Sequence, residues 1–315
     1  MLPKLIVILG PTASGKTDLA LKIANEFNGE IISADSRQVY KKIGVGSAKP
    51  AGNWKTIDGK KRYLVEGVPH YAVDLVDPGQ TFTVAEFQKL AFESIEDIKR
   101  RGKVPLLVGG TGLYIWSVVD NLKFPAGEPM KKLRDSFETK TLEELVVLLD
   151  KVDPDAVSYI DKKNKRRVIR ALEVAISSGQ SSSSLRVRQE PLFDCLQIGI
   201  RWPLDELYAR IDTRIEEQWQ AGWQDEVEKL IRQKYSFDLP SLSGIGYREV
   251  EKYLNGEMTL PEMFLILKRE THRYAKRQMT WFKRDSRISW IEKNDVSAAR
   301  DLVGKFFNDL PLTPP

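Results

Sequence analysis

Gly10, Gly15, Lys16 and Thr17 stand at fixed spacing in GPTASGKT (10–17), directly behind the apolar run KLIVIL (4–9). Gly-x-x-x-x-Gly-Lys-Thr between a strand and a helix is the pattern of a loop that cradles phosphates. Its glycines let the backbone curl so that successive N–H groups point inward, and the helix that begins there turns the positive end of its dipole toward an anion. Gly10, Pro11, Thr12, Ala13, Ser14, Gly15, Lys16 and Thr17 are therefore the candidate polyphosphate-binding residues. Lys16 adds a positive charge, and Thr17 can place its hydroxyl on Mg²⁺. The competing reading is a glycine-rich turn with no ligand, and the loop does not say which polyphosphate it holds.

Proteins that hydrolyse or transfer phosphate from ATP on such a P-loop usually end a second strand in an aspartate that holds Mg²⁺. Here that strand reads VPLLVGGTG (104–112) and has no carboxylate. Asp35 in ADSRQVY (34–40) is the acid placed to face the loop. An aspartate at a strand end also serves as a turn cap. Its neighbours argue for more, because Ser36, Arg37 and Gln38 supply a hydroxyl, a guanidinium and an amide in succession, and such an amide can pair with adenine N6 and N7. The single cysteine, Cys195, excludes an internal disulfide and a cysteine-rich zinc site, while His70 and His272 are too few for a His-based triad or metal cage. Chemistry falls to carboxylates, hydroxyls, Lys/Arg and a bound cation.

The elements that position these residues alternate in the manner of a parallel α/β domain. The loop helix (16–27) precedes a strand EIISADS (30–36); a helix over 83–101, opened by Thr81 and Thr83, precedes the strand VPLLVGG (104–110); TGLYIWSVV (111–119) is the next helix. All three strands have polar or glycine-rich residues at their carboxyl ends, where open α/β sheets place ligands. From about 124 the pattern becomes short helices at 141–152, 153–160 and 166–177, followed by a flexible connection GQSSSSL (179–185). The strand DCLQIGI (194–200) resumes the sheet, and long helices over 204–233 and 261–284 close the chain. This predicts a P-loop NTPase-like parallel sheet core (1–123 and 191–315) with a mostly helical insertion at 124–190. With 315 residues and 42 % hydrophobic content the chain is long enough for a core and a second unit. No run approaches the roughly 20 apolar residues of a membrane span, and MLPKLIVILG reads as a first strand, so a cytoplasmic protein is expected; a monomer is the working expectation, which the sequence does not decide.

The net charge of +5 is unevenly spread. From Lys268 to Arg287, eight Lys/Arg stand against Glu270 and Asp285, a local +6. At helical spacing Leu267, Tyr274 and Trp281, with Phe264 and Phe282, share one side, and Arg269, Arg273, Lys276, Arg277, Lys283 and Arg284 the other. A charge run is usually a solvated helix face, but the scarcity of interleaved acids here points to a polyanion partner. KRRGK (99–103) and KNKRRVIR (163–170) are smaller basic clusters.

GPTASGKT, DSRQVY, GSAKP (46–50), GVPHY (67–71), LVGGTGLY (107–114), RRVIRALEV (166–174), GIGYREV (244–250) and KRQMTWFKRD (276–285) occur in an order that resembles the tRNA dimethylallyltransferase (tRNA isopentenyltransferase) family nearly end to end. The resemblance implies transfer of the five-carbon group of dimethylallyl diphosphate to N6 of the adenosine 3′ of the tRNA anticodon. It also implies a P-loop that holds the isoprenoid diphosphate instead of ATP, with Mg²⁺. By resemblance, Asp35 is the general base, and Lys16, Thr17, Thr111 and Arg214 serve the diphosphate. Asp35, Ser36, Arg37, Gln38, Thr111, Arg134, Arg166, Arg167, Val168, Ile169, Arg170, Ser243, Gly244, Ile245, Gly246, Tyr247 and Arg248 align with segments that contact the anticodon stem-loop. Thr111 also fits a plain helix N-cap, and Arg214 a surface charge. Two departures stand out: Tyr71 where a second histidine is common, and a long connection AGNWKTIDGKKRYLVE (51–66). The lack of a Cys/His zinc module after WFKRD implies a bacterial type. Two alternatives remain, an adenylate isopentenyltransferase acting on free AMP or ATP and a P-loop small-molecule kinase.

Overall fold

The computed structural model describes residues 2–57, 59–124, 131–178, 189–293 and 295–308. The connection expected at 179–185 lies outside them. Two compact units emerge, Met1–Val119 with Leu192–Pro315, and Asp120–Pro191.

The larger unit is built on strands β1 (Lys4–Leu9), β2 (Gly29–Ala34), β3 (Asn53–Ile57), β4 (Lys60–Val65), β5 (Val68–Tyr71), β6 (Val104–Gly109), β7 (Asp194–Arg201) and β8 (Ile288–Glu292). Their order in one sheet is β3-β4-β5-β2-β6-β1-β7-β8. All pairs are parallel except β3 with β4 and β4 with β5. The long connection expected at 51–66 is thus an antiparallel extension of the sheet edge. Tyr71 explains how that extension is fastened: its hydroxyl donates to the buried Glu30 at 2.7 Å and accepts from Arg62 of β4, while Arg101 and Lys103 also pair with Glu30.

On β1, Ile6 and Ile8 enter the core on one face and Leu5, Val7 and Leu9 the core on the other, all fully buried. That two-residue alternation with no polar position is what a central strand covered on both sides requires, each such side chain contributing about 1.5–3 kcal/mol by burial. Helices α1 (Lys16–Glu26) and α12 (Val296–Asn308) supply residues to the first of these cores, and α2 (Val84–Arg100) and α3 (Gly112–Val119) to the second. Thr83 and Glu86 cap α2 reciprocally. The register Leu9↔Gly109 and Ala34↔Gly109 sets the ends of β1, β2 and β6 level. The P-loop, the turn after Ala34 and the segment after Gly109 therefore leave the sheet at one height, which brings residues far apart in sequence into one site.

A third core joins α8 (Leu204–Gln220), α9 (Trp223–Arg232), α10 (Tyr247–Leu254) and α11 (Leu260–Phe282). The single helix expected over 204–233 is two helices, broken at Ala221–Gly222, where Gly222 takes φ 94°. On α11 the separation of faces holds: Leu267 and Phe282 are buried, and Arg269, Arg273, Lys276 and Arg277 are exposed, as are Lys283 and Arg284 beyond its end. Among the described residues no helix is long and apolar enough to cross a membrane.

The smaller unit holds α4 (Lys131–Glu138), α5 (Leu142–Val152), α6 (Pro154–Tyr159) and α7 (Lys165–Ser178) around Phe137, Leu145, Leu149, Ala156, Val168, Ile169, Ala171 and Leu172. Val168 and Ile169, aligned above with RNA-contacting positions, are core residues at 0 % and 1 % exposure, so their side chains have no surface to offer a nucleic acid. Helical periodicity is the reason: they alternate with Arg166, Arg167 and Arg170, whose side chains face outward. Arg134 (2.8 Å) and Arg170 (3.3 Å) flank the buried carboxylate of Glu173.

Candidate active site

At the carboxyl ends of β1, β2 and β6 lies a cavity of about 680 Å³. P-loop residues 12–17 form one wall; Asp35, Gln38, Gly109, Gly110, Arg214, Tyr274 and Gln278 are among its other lining residues. Gly15 sits in the left-handed region at φ 88° immediately before α1, a conformation open to glycine at no steric cost, and so lets the loop turn its N–H groups inward. The Ser14 hydroxyl is fully buried without a hydrogen-bond partner. An orphaned donor of that kind in a phosphate-type loop suits an anionic oxygen.

The loop is braced by side chains from distant parts of the chain. Gln278 of α11 accepts the Thr12 N–H at 2.9 Å and donates to the Gly110 carbonyl at 2.9 Å. Arg210 donates to Ala13 O at 2.9 Å and lies over the Trp202 ring, while Trp202 itself donates to Ser14 O at 3.1 Å. Arg214 reaches Thr12 Oγ1 at 3.4 Å, which brings this expected diphosphate ligand to the loop.

Lys16 donates to Pro11 O at 2.6 Å. Burial, and then the nearby Arg214 charge, lower its pKa to about 7, with Asp35 opposing the shift. Burial lowers the Arg214 pKa as well. Two basic groups held close together against desolvation suit a polyanion, which would favour their charged forms. Burial also lowers the pKa of His70 in the cavity wall, and its Nδ1 bonds to Val68 O at 2.9 Å, so the ring is neutral with its proton on Nδ1.

Asp35 is partly exposed in the cavity, and its Oδ1 accepts the backbone N–H of Arg37 at 2.8 Å and of Gln38 at 3.4 Å. It caps its turn through Oδ1, and that leaves room for a second role at its other oxygen. The Gln38 amide accepts from Ser33 Oγ at 2.9 Å and donates to Ala48 O at 3.3 Å. Thr111 differs from expectation: it is outside the cavity lining, and its Oγ1 accepts the Ser36 N–H at 3.1 Å. It ties the end of β6 to the Asp35 turn.

The remaining sequence-derived positions separate in the same way. Arg37 donates to Pro240 O, Ser241 O and Ser243 Oγ, and Arg248 to Phe237 O and Asp238, so both guanidinium groups hold the 237–243 segment in place. Ser243, Gly244 and Ile245 are partly exposed beside them. Tyr247 is a core residue, 1 % exposed, whose hydroxyl donates to Glu226 at 2.8 Å, and Gly246 packs against Trp223. Neither has a free side-chain surface for RNA. GIGYREV aligns by resemblance with RNA-contacting segments, and its aromatic, Tyr247, packs in the third core.

The IPP transferase family description matches residues 38–285, and an isopentenyl transferase description matches residues 3–70. The chain belongs to the IPP transferase family. It is 43 % identical to tRNA dimethylallyltransferase 2 of Geotalea uraniireducens over 92 % of each chain. Among solved structures, it resembles the full-length tRNA isopentenylpyrophosphate transferase of Bacillus halodurans, with TM-score 0.69 and 36 % identity over 97 % of each chain. It also resembles a eukaryotic dimethylallyltransferase acting on tRNA, with TM-score 0.78 and 26 % identity over 99 % of this chain and 81 % of that one. Within this family, the braces Trp202, Arg210 and Gln278 are a feature the one-dimensional reading missed. Gln278 stands inside KRQMTWFKRD on the apolar side of its helix, but neither the motif nor the helical pattern names its partner.

Proposed function

We propose that this protein transfers the dimethylallyl group of dimethylallyl diphosphate to N6 of the adenosine adjacent to the tRNA anticodon, releasing diphosphate. The observation that carries this reading is one cavity shared by an anion-binding loop and the half-free carboxylate of Asp35. Adenine N6 is a poor nucleophile because its lone pair is delocalised into the ring. Asp35 accepts a proton from N6 as the N6–C bond forms and the allylic C–O bond breaks. The electron pair of that bond leaves on the diphosphate, where the inward N–H groups of the loop, Lys16 and Arg214 stabilise the charge as it develops.

No group of three metal-ligating side chains occurs among the described residues. Thr17 lines the cavity and offers one hard oxygen, which suits Mg²⁺ held chiefly by substrate phosphates, where it would neutralise leaving-group charge. For RNA, Lys276, Arg277, Lys283 and Arg284 on and after α11 are exposed and have no acidic partner among the described residues, and Arg166 and Arg167 are exposed on α7. Arg134 and Arg170 remain half-exposed beside Glu173 and add to that second surface. Because the target base lies in a loop, taking it out of the stack requires only about a few kcal/mol, which phosphate contacts can offset.

The deciding experiment incubates the protein with labelled dimethylallyl diphosphate and bulk tRNA, with AMP as a competing acceptor and ATP hydrolysis measured in parallel. Label in tRNA, with neither AMP modification of equal efficiency nor ATP turnover, is the expected result. Equal use of AMP establishes an adenylate isopentenyltransferase instead, and robust ATP turnover a phosphate-transferring enzyme. A second measurement addresses the RNA surface. Affinity for an anticodon stem-loop should fall steeply with salt, and Arg166→Ala with Arg167→Ala should flatten the log–log slope by about one to two units through lost counterion release. A slope unchanged by the double substitution removes α7 from the RNA interface.

A further inference from the structure

Outside the cavity lining, α9 directs Glu226 at the loop that joins Ile43 to Pro50. Its Oε2 accepts the N–H groups of Gly44 at 2.7 Å and Val45 at 2.8 Å, and its Oε1 accepts the Gly46 N–H at 3.0 Å and the Tyr247 hydroxyl at 2.8 Å. Four donors converge on one carboxylate. From α8, Gln218 Nε2 donates to Val45 O at 2.5 Å and Gly46 O at 3.2 Å, so the same loop residues are gripped through their carbonyls as well. The approach is close enough that a Cβ on Gly46 would stand 2.3 Å from Trp223 Nε1 and 2.7 Å from the Tyr247 ring.

Directly beyond this grip, the loop places Ser47, Ala48 and Pro50 in the cavity wall. The Ala48 carbonyl accepts the Gln38 amide at 3.3 Å, and Gln38 is in turn hydrogen-bonded to Ser33 and, through its backbone, to Asp35. A continuous path of direct contacts therefore runs from Glu226 through three backbone N–H groups and the Ala48 carbonyl to the amide beside the proposed base. Hydrogen bonds to an ionised acceptor are roughly twice as strong as neutral ones, and this places the stiffest contacts of the path at its outer end.

We propose that Glu226 is a positioning residue for the transfer reaction: by fixing residues 44–46 it fixes the Ala48 carbonyl and hence the orientation of the Gln38 amide at the acceptor side of the cavity. The proposal rests on the transferase reading above. Glu226→Gln keeps the size of the side chain but turns one acceptor oxygen into an NH₂ group facing donors, which breaks half of the grip.

The test is a double-mutant cycle on single-turnover transfer to an anticodon stem-loop at saturating dimethylallyl diphosphate, combining Glu226→Gln with Gln38→Leu. Each single variant should slow transfer by about tenfold and the pair by little more than either, because both disturb the same amide, while the KM for the donor stays within about twofold. A loss of stability alone does not couple to Gln38, so multiplied effects of about a hundredfold in the pair overturn the proposal. Normal transfer by either single variant overturns it too. If Glu226→Gln fails to fold by circular dichroism, Gln218→Leu loosens the same loop from α8 and enters the cycle in its place, with the same two outcomes. Absence of transfer by the wild-type protein defeats the functional reading itself and is thereby distinguished from failure of the positioning role.

Discussion

Asp35→Asn should lower single-turnover transfer to the stem-loop by about 10²-fold or more, the range for loss of a positioned general base, with little change in RNA affinity. The structure gives the reason for expecting a clean effect. The asparagine Oδ1 can keep the N–H bonds from Arg37 and Gln38 that shape the turn, so the fold around the site survives. What it loses is the second carboxylate oxygen, the group that can receive a proton from N6. Near-normal transfer by the variant would make Asp35 a turn cap only, and the base would have to be sought among other cavity residues.

The second large effect belongs to Lys16. Its replacement by alanine removes the one ammonium of the loop and should reduce kcat/KM for the diphosphate donor by about 10²–10³-fold, as for loss of a preorganised charge at a leaving group. A pH signature accompanies it. In the free protein Lys16 has a pKa of about 7, lowered first by burial and then by Arg214. A bound diphosphate favours the charged form, so above about pH 8 the wild type must take up a proton to bind, and donor affinity should fall by up to about tenfold per pH unit. The Lys16→Ala protein lacks that group and should lose the slope. Direct binding measured between pH 8 and 9.5 decides the matter: a flat wild-type profile would mean that the lysine is already protonated in the empty site.

Much of this site was legible because phosphate recognition is local. GPTASGKT and the Asp35 turn each lie within eight consecutive residues, and Thr12–Thr17, Asp35 and Gln38 line the cavity. Residues that act by bracing are different in kind. Gln278, Arg210 and Trp202 meet their partners across 188–266 positions of chain, and nothing in a short window records such a contact. Val168, Ile169 and Tyr247 differ in the opposite sense, since each lies inside a basic or glycine-rich motif and its side chain is buried. The edge hairpin was readable in principle, because Asp58-Gly59 between two strand-like runs is a turn signal. It was passed over because β3 is exposed along almost its whole length and lacks the alternation of a half-buried strand.

The Gln278 bridge to Thr12 spans 266 positions, so the phosphate loop, although encoded within the first twenty residues, gains this brace only once α11 is in place. During synthesis on the ribosome the sheet strands β1, β2 and β6 are all available long before α11 has emerged. A nascent chain at that stage has the residues of the loop but neither the Gln278 brace nor the cationic helix face. The Gln278 brace and the cationic face of α11 therefore arrive on the same helix, and a chain that has not reached it lacks both.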